Sequence, residues 1–127
     1  MSGGVLKDPD RSHVVPFCWR STIRDIVEAL VAGDYELKVG VTSASPIPPV
    51  IAEQIRSQIA DYGELLSELP QGEEAWERSA AQWMDGHWEV LLDLWTAESG
   101  HSDLALSLRV FETGTSYRFE IDSVHVP

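Results

Sequence analysis

The feature that most constrains this chain is an alternation of apolar and polar residues between positions 79 and 126. Successive side chains of a β-strand point to opposite faces, so a period of two predicts strands with one buried face. The turn signals Asp85-Gly86 and Thr113-Gly114 separate the runs. Asp-Gly favours a two-residue hairpin, in which both central residues have positive φ. We therefore expect residues 79–126 to form a four-stranded antiparallel sheet with its strands in sequential order.

The same alternation predicts which side chains this sheet buries. Trp83 and Trp88 flank the first turn closely enough to be cross-strand neighbours. The apolar phase changes near Ser123, which predicts a β-bulge there. The residues expected on the buried face of the last two strands are Leu104, Leu106, Leu108, Phe119 and Ile121.

Two helices are predicted before the sheet. The first has apolar residues at i, i+3, i+4, i+7 and i+8 from Ile23, with Thr22 and Asp25 as a capping box and Gly33 at its end. The second is expected to start at Ser45, with prolines in its opening turn, and to end at Gly63.

These patterns place the chain in the α+β class, with two N-terminal helices packed on a four-stranded antiparallel meander sheet. Residues 37–41 alternate as a short strand would. Residues 1–15 combine glycine, proline and mixed charge without a period, so we expect a flexible N-terminal arm, followed by one α+β domain at 16–127.

Cysteine usage and hydropathy indicate the cellular compartment in which the protein is expected. A single cysteine, Cys18, excludes an intrachain disulfide and is expected to be a small buried residue. No apolar run is long enough for a membrane span, and the N-terminus has no signal-peptide core. A cytoplasmic location is therefore expected.

The charge is strongly negative, with 21 acidic against 9 basic residues and a net charge of −12. Such a field repels phosphate backbones and anionic lipids, which argues against nucleic-acid and membrane partners. Because the acidic residues are dispersed, they are explained either by solubility or by attraction to a basic protein partner. The oligomeric state does not follow from these features.

No familiar catalytic or cofactor motif is present. His101, Ser102 and Asp103 are the residue types of a nucleophilic triad, but neighbours on an extended strand point in opposite directions. The histidines lack metal-ligand spacing, and His87 with Glu89 is the nearest approach to a site. We expect no catalytic residue, no cofactor and no metal, and an enzyme is not the favoured interpretation.

Trp95 is the most distinctive surface candidate. The alternation places it on the strand face opposite Leu92 and Leu94, and it precedes a polar loop from Thr96 to Asp103. Polar loops of this length carry function more often than strands do, and an apolar anchor with a charged rim is typical of an interface. The alternative is that Trp95 folds over the sheet edge. The predicted interface consists of Trp95, Glu89, Asp93, Glu98, His101 and Asp103.

Two stretches together resemble a bacterial family of small acidic proteins known as a domain of unknown function. They are residues 27–35, and the region from Leu69-Pro70 through Trp76 and Ser79 to residues 93–104. The resemblance covers roughly residues 20–126. The segment Ala29–Tyr35 is also similar to the first helix of cystatin-like α+β barrels, so a cystatin-like layout is an alternative. In size, charge and layout the chain is similar to immunity proteins that neutralise bacterial toxins.

Two functions follow from the sequence. One is a non-enzymatic protein-binding module, immunity-like, that presents an acidic aromatic surface. The other is a small-molecule pocket between helix and curved sheet, with or without catalysis. A buried pocket lined by Trp88 or Tyr117 with one perturbed carboxylate would favour the second, whereas a flat, exposed apolar patch ringed by acids would favour the first.

Overall fold

An antiparallel sheet organises the structure, a computed structural model that describes residues 4–127. Its elements are a 3-10 helix Phe17–Trp19, α1 Arg20–Val31, α2 Pro49–Tyr62, β1 Leu66–Ser67, α3 Glu74–Glu77, β2 Ala80–Trp83, β3 Trp88–Thr96, β4 Gly100–Thr113 and β5 Ser116–His125. The α+β class is confirmed. No helix among these residues has the length and apolar character that a membrane span requires.

The strand order confirms the antiparallel, sequential pairing of β2, β3, β4 and β5. The prediction of four strands and two helices is wrong in detail, since residues 4–127 contain five strands and three α-helices. The added strand β1 pairs with the Thr96 end of β3, while β2 pairs with its Trp88 end. Elements of two and four residues, such as β1 and α3, are too short for a sequence period to reveal them.

The first hairpin turns as predicted. Asp85 and Gly86 both have positive φ, 58° and 135°, and the Met84 N–H donates to the His87 carbonyl at 2.7 Å. Trp83 and Trp88 are direct cross-strand partners with ring centroids 4.7 Å apart. The hairpin therefore presents an edge-to-face tryptophan pair across β2 and β3.

The predicted bulge near Ser123 is also confirmed. Ser123 pairs with Ser107, whereas Ile121 pairs with Leu108, so the intervening Asp122 is the extra residue of β5. This insertion explains why the apolar phase of the strand changes at that point.

The inner face of the sheet packs against α1. All the residues predicted to be buried on β4 and β5 are buried, as are Ile23, Ile26, Val27 and Leu30 of α1. Trp19 lies between the two layers, fully buried, with edge-to-face contacts to Trp88 and Tyr117 at 5.2 and 5.5 Å. Such contacts add specificity to the apolar burial.

Helix boundaries differ from the predictions at both N-termini. α1 begins at Arg20 behind the 3-10 helix without a side-chain cap, so the Thr22–Asp25 capping box is wrong. α2 begins at Pro49 rather than at Ser45. A residue that precedes proline avoids the helical region, and the prolines at 46, 48 and 49 delay the start of the helix. Gly63 ends α2 with φ 81°, as expected.

The predicted strand at residues 37–41 is wrong. Leu37 is buried with φ 56°, and Val39 is 80% exposed, so the chain here is a series of turns. The Asp34 carboxylate accepts hydrogen bonds from the Lys38 and Val39 amides at 2.8 and 3.0 Å, which lowers the pKa of Asp34. Side-chain bonds of this kind compete with strand pairing.

The described part of the predicted arm lies along β2. His13 exchanges both backbone hydrogen bonds with Ala81, at 2.9 and 2.6 Å. Val15 is fully buried, and its N–H donates to the Ser79 hydroxyl at 2.9 Å. The segment thereby covers the edge of β2 that β3 leaves unpaired.

Candidate functional site

The predicted interface is not built around an exposed tryptophan. Trp95 is only 7% exposed and belongs to the hydrophobic core, so the expectation of an exposed anchor is wrong. The reason is its position between two partner strands. Ser67 of β1 pairs with Trp95 on one side, and a register shift in β4 places His101 opposite it on the other, with ring centroids 5.2 Å apart.

The other members of the predicted interface are exposed or, for Asp93, partly exposed, and they lie in separate groups. His101 Nε2 lies 2.7 Å from Asp93 Oδ2, and both side chains are about one-third exposed. Glu89 is exposed farther along β3, with its carboxylate 3.6 Å from His87 Nε2. The structure thus brings Asp93, Trp95 and His101 together and leaves Glu89 beside His87.

The predicted loop from Thr96 to Asp103 is largely strand, because β3 ends at Thr96 and β4 already begins at Gly100. The remaining turn is tied to the segment after α2. Glu64 accepts hydrogen bonds from the Thr96 and Ser99 hydroxyls at 2.6 and 2.9 Å, which lowers the pKa of Glu64.

Glu98 also contacts the segment after α2, and Asp103 contacts the last residue of α2. The Glu98 carboxylate accepts from the Leu65 amide at 3.0 Å, and the Asp103 amide donates to the Tyr62 hydroxyl at 3.0 Å. Ser102 is buried and donates to the Leu94 carbonyl at 2.7 Å, as expected for a structural residue. His101 is exposed, so these neighbours do not assemble a triad.

A cavity of about 450 Å³ lies elsewhere, between the N-terminal segment, the 3-10 helix and the β2–β3 hairpin. Its apolar wall includes Val5, Leu6, Val14, Phe17, Trp83 and Trp88. Its polar groups include Asp8, His13 and Cys18. The cavity combines Trp88 with a perturbed carboxylate, as expected for a ligand site, but it is open and has exposed side chains in its wall, whereas the sequence criterion called for a buried pocket.

Side-chain and backbone contacts hold this cavity in shape. The Trp88 indole N–H donates to the Leu6 carbonyl at 3.1 Å, which fixes the N-terminal segment over the hairpin. The Gln82 amide donates to the carbonyls of Asp8 and Pro9 at 3.2 Å each. Lys7 lies with Nζ 5.3 Å from the Trp83 ring centroid.

The Asp8–His13 pair is the charged feature of the cavity. Asp8 Oδ2 lies 2.9 Å from His13 Nε2, and the Asp10 amide donates to Asp8 Oδ1 at 3.0 Å. The bond with His13 and then that with Asp10 lower the pKa of Asp8. The carboxylate is therefore ionised at neutral pH, beside an apolar wall.

Apolar side chains at this cavity are unusually exposed. Phe17 is 83% exposed, and Leu6 and Val14 are exposed as well. Cys18 is exposed, contrary to the expectation of a buried residue, because the 3-10 turn directs its neighbour Trp19 into the core. Contiguous exposed apolar groups mark ligand or partner sites more often than isolated ones do.

Sequence reasoning missed this site because it treated residues 1–15 as a featureless arm. One signal was present: residues 14–19 form an uninterrupted apolar run from Val14 to Trp19. Among residues 4–127, no cluster of three or more potential ligands could hold a metal ion.

The structure defines a small α+β domain with an open antiparallel sheet and a largely apolar cavity. Residues 27–127 match the family described as Domain of unknown function (DUF7668), and the chain belongs to that family. The resemblance to a family of unknown function is thereby confirmed. No curated protein and no solved structure matches the chain. The matched region includes Ala81, Trp83 and Trp88, while the cavity wall from Gly4 to Cys18 precedes it.

Proposed function

We propose that this protein is a non-enzymatic binding protein for a small, largely apolar molecule that carries a cationic group. The observation that carries the proposal is the coincidence, at one cavity, of a tryptophan pair, exposed apolar side chains and an ionised aspartate. This is the small-molecule class of function that the sequence left open, at a different place from the pocket expected between helix and curved sheet. It is preferred because Trp95, the anchor that the sequence suggested for a protein interface, is buried.

The apolar character of the ligand follows from the wall. A cavity of about 450 Å³ lies within the usual range for small-molecule sites, which are mostly apolar with few polar groups. A ligand that covers Leu6, Val14 and Phe17 removes their exposed apolar surface from water, which favours binding.

The positive charge of the ligand follows from the electrostatics. Asp8 supplies a carboxylate whose lowered pKa keeps it ionised at neutral pH, and the net charge of −12 attracts cations to the whole molecule. The Lys7 ammonium already lies over the face of Trp83, so the cationic group of the ligand is placed at Asp8 and not against that ring.

Titration with a matched series of ligands tests the proposal. 2-Phenylethylamine, the neutral 2-phenylethanol and the anionic 3-phenylpropionate differ mainly in charge. We expect the amine to bind about two- to fivefold more tightly than the alcohol, the usual gain from one exposed charge pair, and the acid to bind most weakly. Isothermal calorimetry at low ionic strength measures the three affinities.

Two carboxylate variants provide the matched control. Asp8→Asn should abolish the preference for the amine, whereas Asp10→Asn makes the same change in net charge and should retain it. Equal affinities for amine and alcohol, or the same loss in both variants, would show that Asp8 does not recognise the ligand. Absence of binding by all three compounds would contradict the pocket itself.

A second candidate is binding of a basic protein partner by an immunity-like protein of bacterial origin. Its support is the net charge and the exposure of Glu89, Glu98, His101 and Asp103. Under this proposal the contact is electrostatic, without Trp95 as an anchor. Reversing the charge at Glu89 and Asp103 should then weaken capture of a basic partner, while Asp8→Asn should have no effect.

A further inference from the structure

A second cavity adjoins the first across Phe17 and Cys18, and its chemistry is opposite. It has a volume of about 530 Å³ and lies between the 3-10 helix, the start of α1 and the turn before α3, where Arg20, Arg24, Glu73 and Trp76 line it. We propose that this cavity binds a small carboxylate ligand with a flat apolar body.

Two guanidinium groups are concentrated here. Arg20 and Arg24 lie one helical turn apart on α1, and each has Cζ 5.4 Å from the ring centroid of Trp76. In a chain with 9 basic against 21 acidic residues, this pair creates a local positive site within a negative field. Guanidinium groups recognise carboxylates through paired N–H donors.

The arginines are held in place mainly by neutral acceptors. Arg24 donates from Nη1 to the Leu69 carbonyl at 3.3 Å and from Nη2 to the Pro70 carbonyl at 3.1 Å. Arg20 donates from Nε to the Val15 carbonyl at 3.1 Å. Carbonyls orient a guanidinium without neutralising its charge, and each guanidinium has five N–H donors. Donors therefore remain for a ligand, on side chains that are already ordered.

Glu73 shows that the site accepts a carboxylate. Its Oε1 lies 2.8 Å from Arg20 Nη1, yet the Glu73 side chain is 64% exposed, while that of Arg20 is only 16% exposed. An ion pair with one exposed partner contributes little, so a ligand carboxylate can replace Glu73 at the same donor.

The apolar body of the ligand follows from the aromatic groups. Phe17 presents an 83% exposed ring at the cavity, and Arg20 Cζ lies 5.8 Å from its centroid. Burial of this ring by a flat group adds apolar contact that inorganic phosphate lacks. Aromatic carboxylates therefore fit the cavity better than small inorganic anions do.

The test compares benzoate with benzamide, its neutral analogue, by calorimetry at low ionic strength. Benzoate should bind and benzamide should bind at least severalfold more weakly, because the amide lacks the charge that the arginines recognise. Glu73→Gln should tighten benzoate binding about two- to fivefold, since it removes a competing carboxylate from Arg20. Arg24→Gln should weaken it.

Glu74→Gln is the matched control, because it makes the same change in net charge one residue away. Glu74 is the first residue of α3, and its Oε2 lies 3.8 Å from Nε of Arg78, just beyond the helix. It does not line the cavity. An increase in benzoate affinity that is larger for Glu73→Gln than for Glu74→Gln supports the proposal. Equal gains, or equal affinity for benzoate and benzamide, would overturn it. Both glutamate variants keep the arginines, so the test stands even if Arg24→Gln fails to fold.

The two cavities are distinguished by a third variant. Trp83→Phe alters the first cavity and leaves Arg20, Arg24 and Trp76 unchanged. Benzoate affinity should persist in Trp83→Phe, whereas binding of 2-phenylethylamine should weaken. Loss of benzoate binding in this variant would contradict the proposal of a carboxylate site at the second cavity. It would not bear on the proposal of an amine site at the first cavity.

Discussion

Replacement of Trp95 by alanine separates a core residue from an interface anchor. Trp95 is 7% exposed, between β1 and β4. A buried aromatic side chain removes about 150–250 Å² from water, which at about 25 cal/mol per Å² corresponds to roughly 4–6 kcal/mol as an upper bound. Measured truncations of buried aromatic residues cost about 3–5 kcal/mol, and we expect Trp95→Ala to fall in that range.

Urea unfolding followed by circular dichroism measures this change in the free energy of unfolding. Leu91→Ala is the control, because Leu91 lies on the same face of the same strand and is exposed. It should cost less than about 1 kcal/mol, close to the usual effect of surface substitutions. If Trp95→Ala lowers the free energy of unfolding no more than Leu91→Ala does, the packing of Trp95 described above is wrong. Trp95 would then again be a candidate for an exposed interface residue.

Two further predictions concern stability. Leu106 is fully buried, so Leu106→Ala should lower the free energy of unfolding by about 2–5 kcal/mol. Glu112 forms an exposed ion pair with Lys7, so Glu112→Gln should lower it by less than about 1 kcal/mol. Similar urea midpoints for the two variants would show that Leu106 does not face the core. Hydrogen bonds lower the folded pKa values of Asp8, Asp34 and Glu64 below their unfolded values. The stability that these carboxylates contribute is therefore present at neutral pH and is lost as the pH falls below about 4. A urea midpoint that stays constant from neutral pH to pH 3 would contradict this.

The sheet was the predictable part of the fold. Its period of two is local in sequence, and the turn at Asp85-Gly86 requires conformations that these residues adopt readily, so strand order and the buried leucines follow. Helix starts were less predictable. The prediction of a helix start capped by Ser45 was wrong, because the prolines that follow Ser45 delay the helix to Pro49.

The candidate sites depend on contacts that sequence patterns do not encode. The burial of Trp95 requires β1, a two-residue strand from a distant part of the chain, and a register shift in β4. The first cavity requires the N-terminal segment to lie across the hairpin, through the backbone pairing of His13 with Ala81 and the hydrogen bond from the Trp88 indole to the Leu6 carbonyl. Long-range pairing of this kind leaves no periodic signal in either segment.

The most direct test of the proposed pocket is a ¹H–¹⁵N correlation spectrum of the tryptophan indoles during titration with 2-phenylethylamine. Trp83 and Trp88 line the first cavity, whereas Trp76 lines the second and Trp95 is buried in the core. We predict saturable shifts of the Trp83 and Trp88 signals, with those of Trp76 and Trp95 unchanged. Unchanged Trp83 and Trp88 signals at millimolar amine, or shifts centred on Trp76 or Trp95, would contradict the proposal.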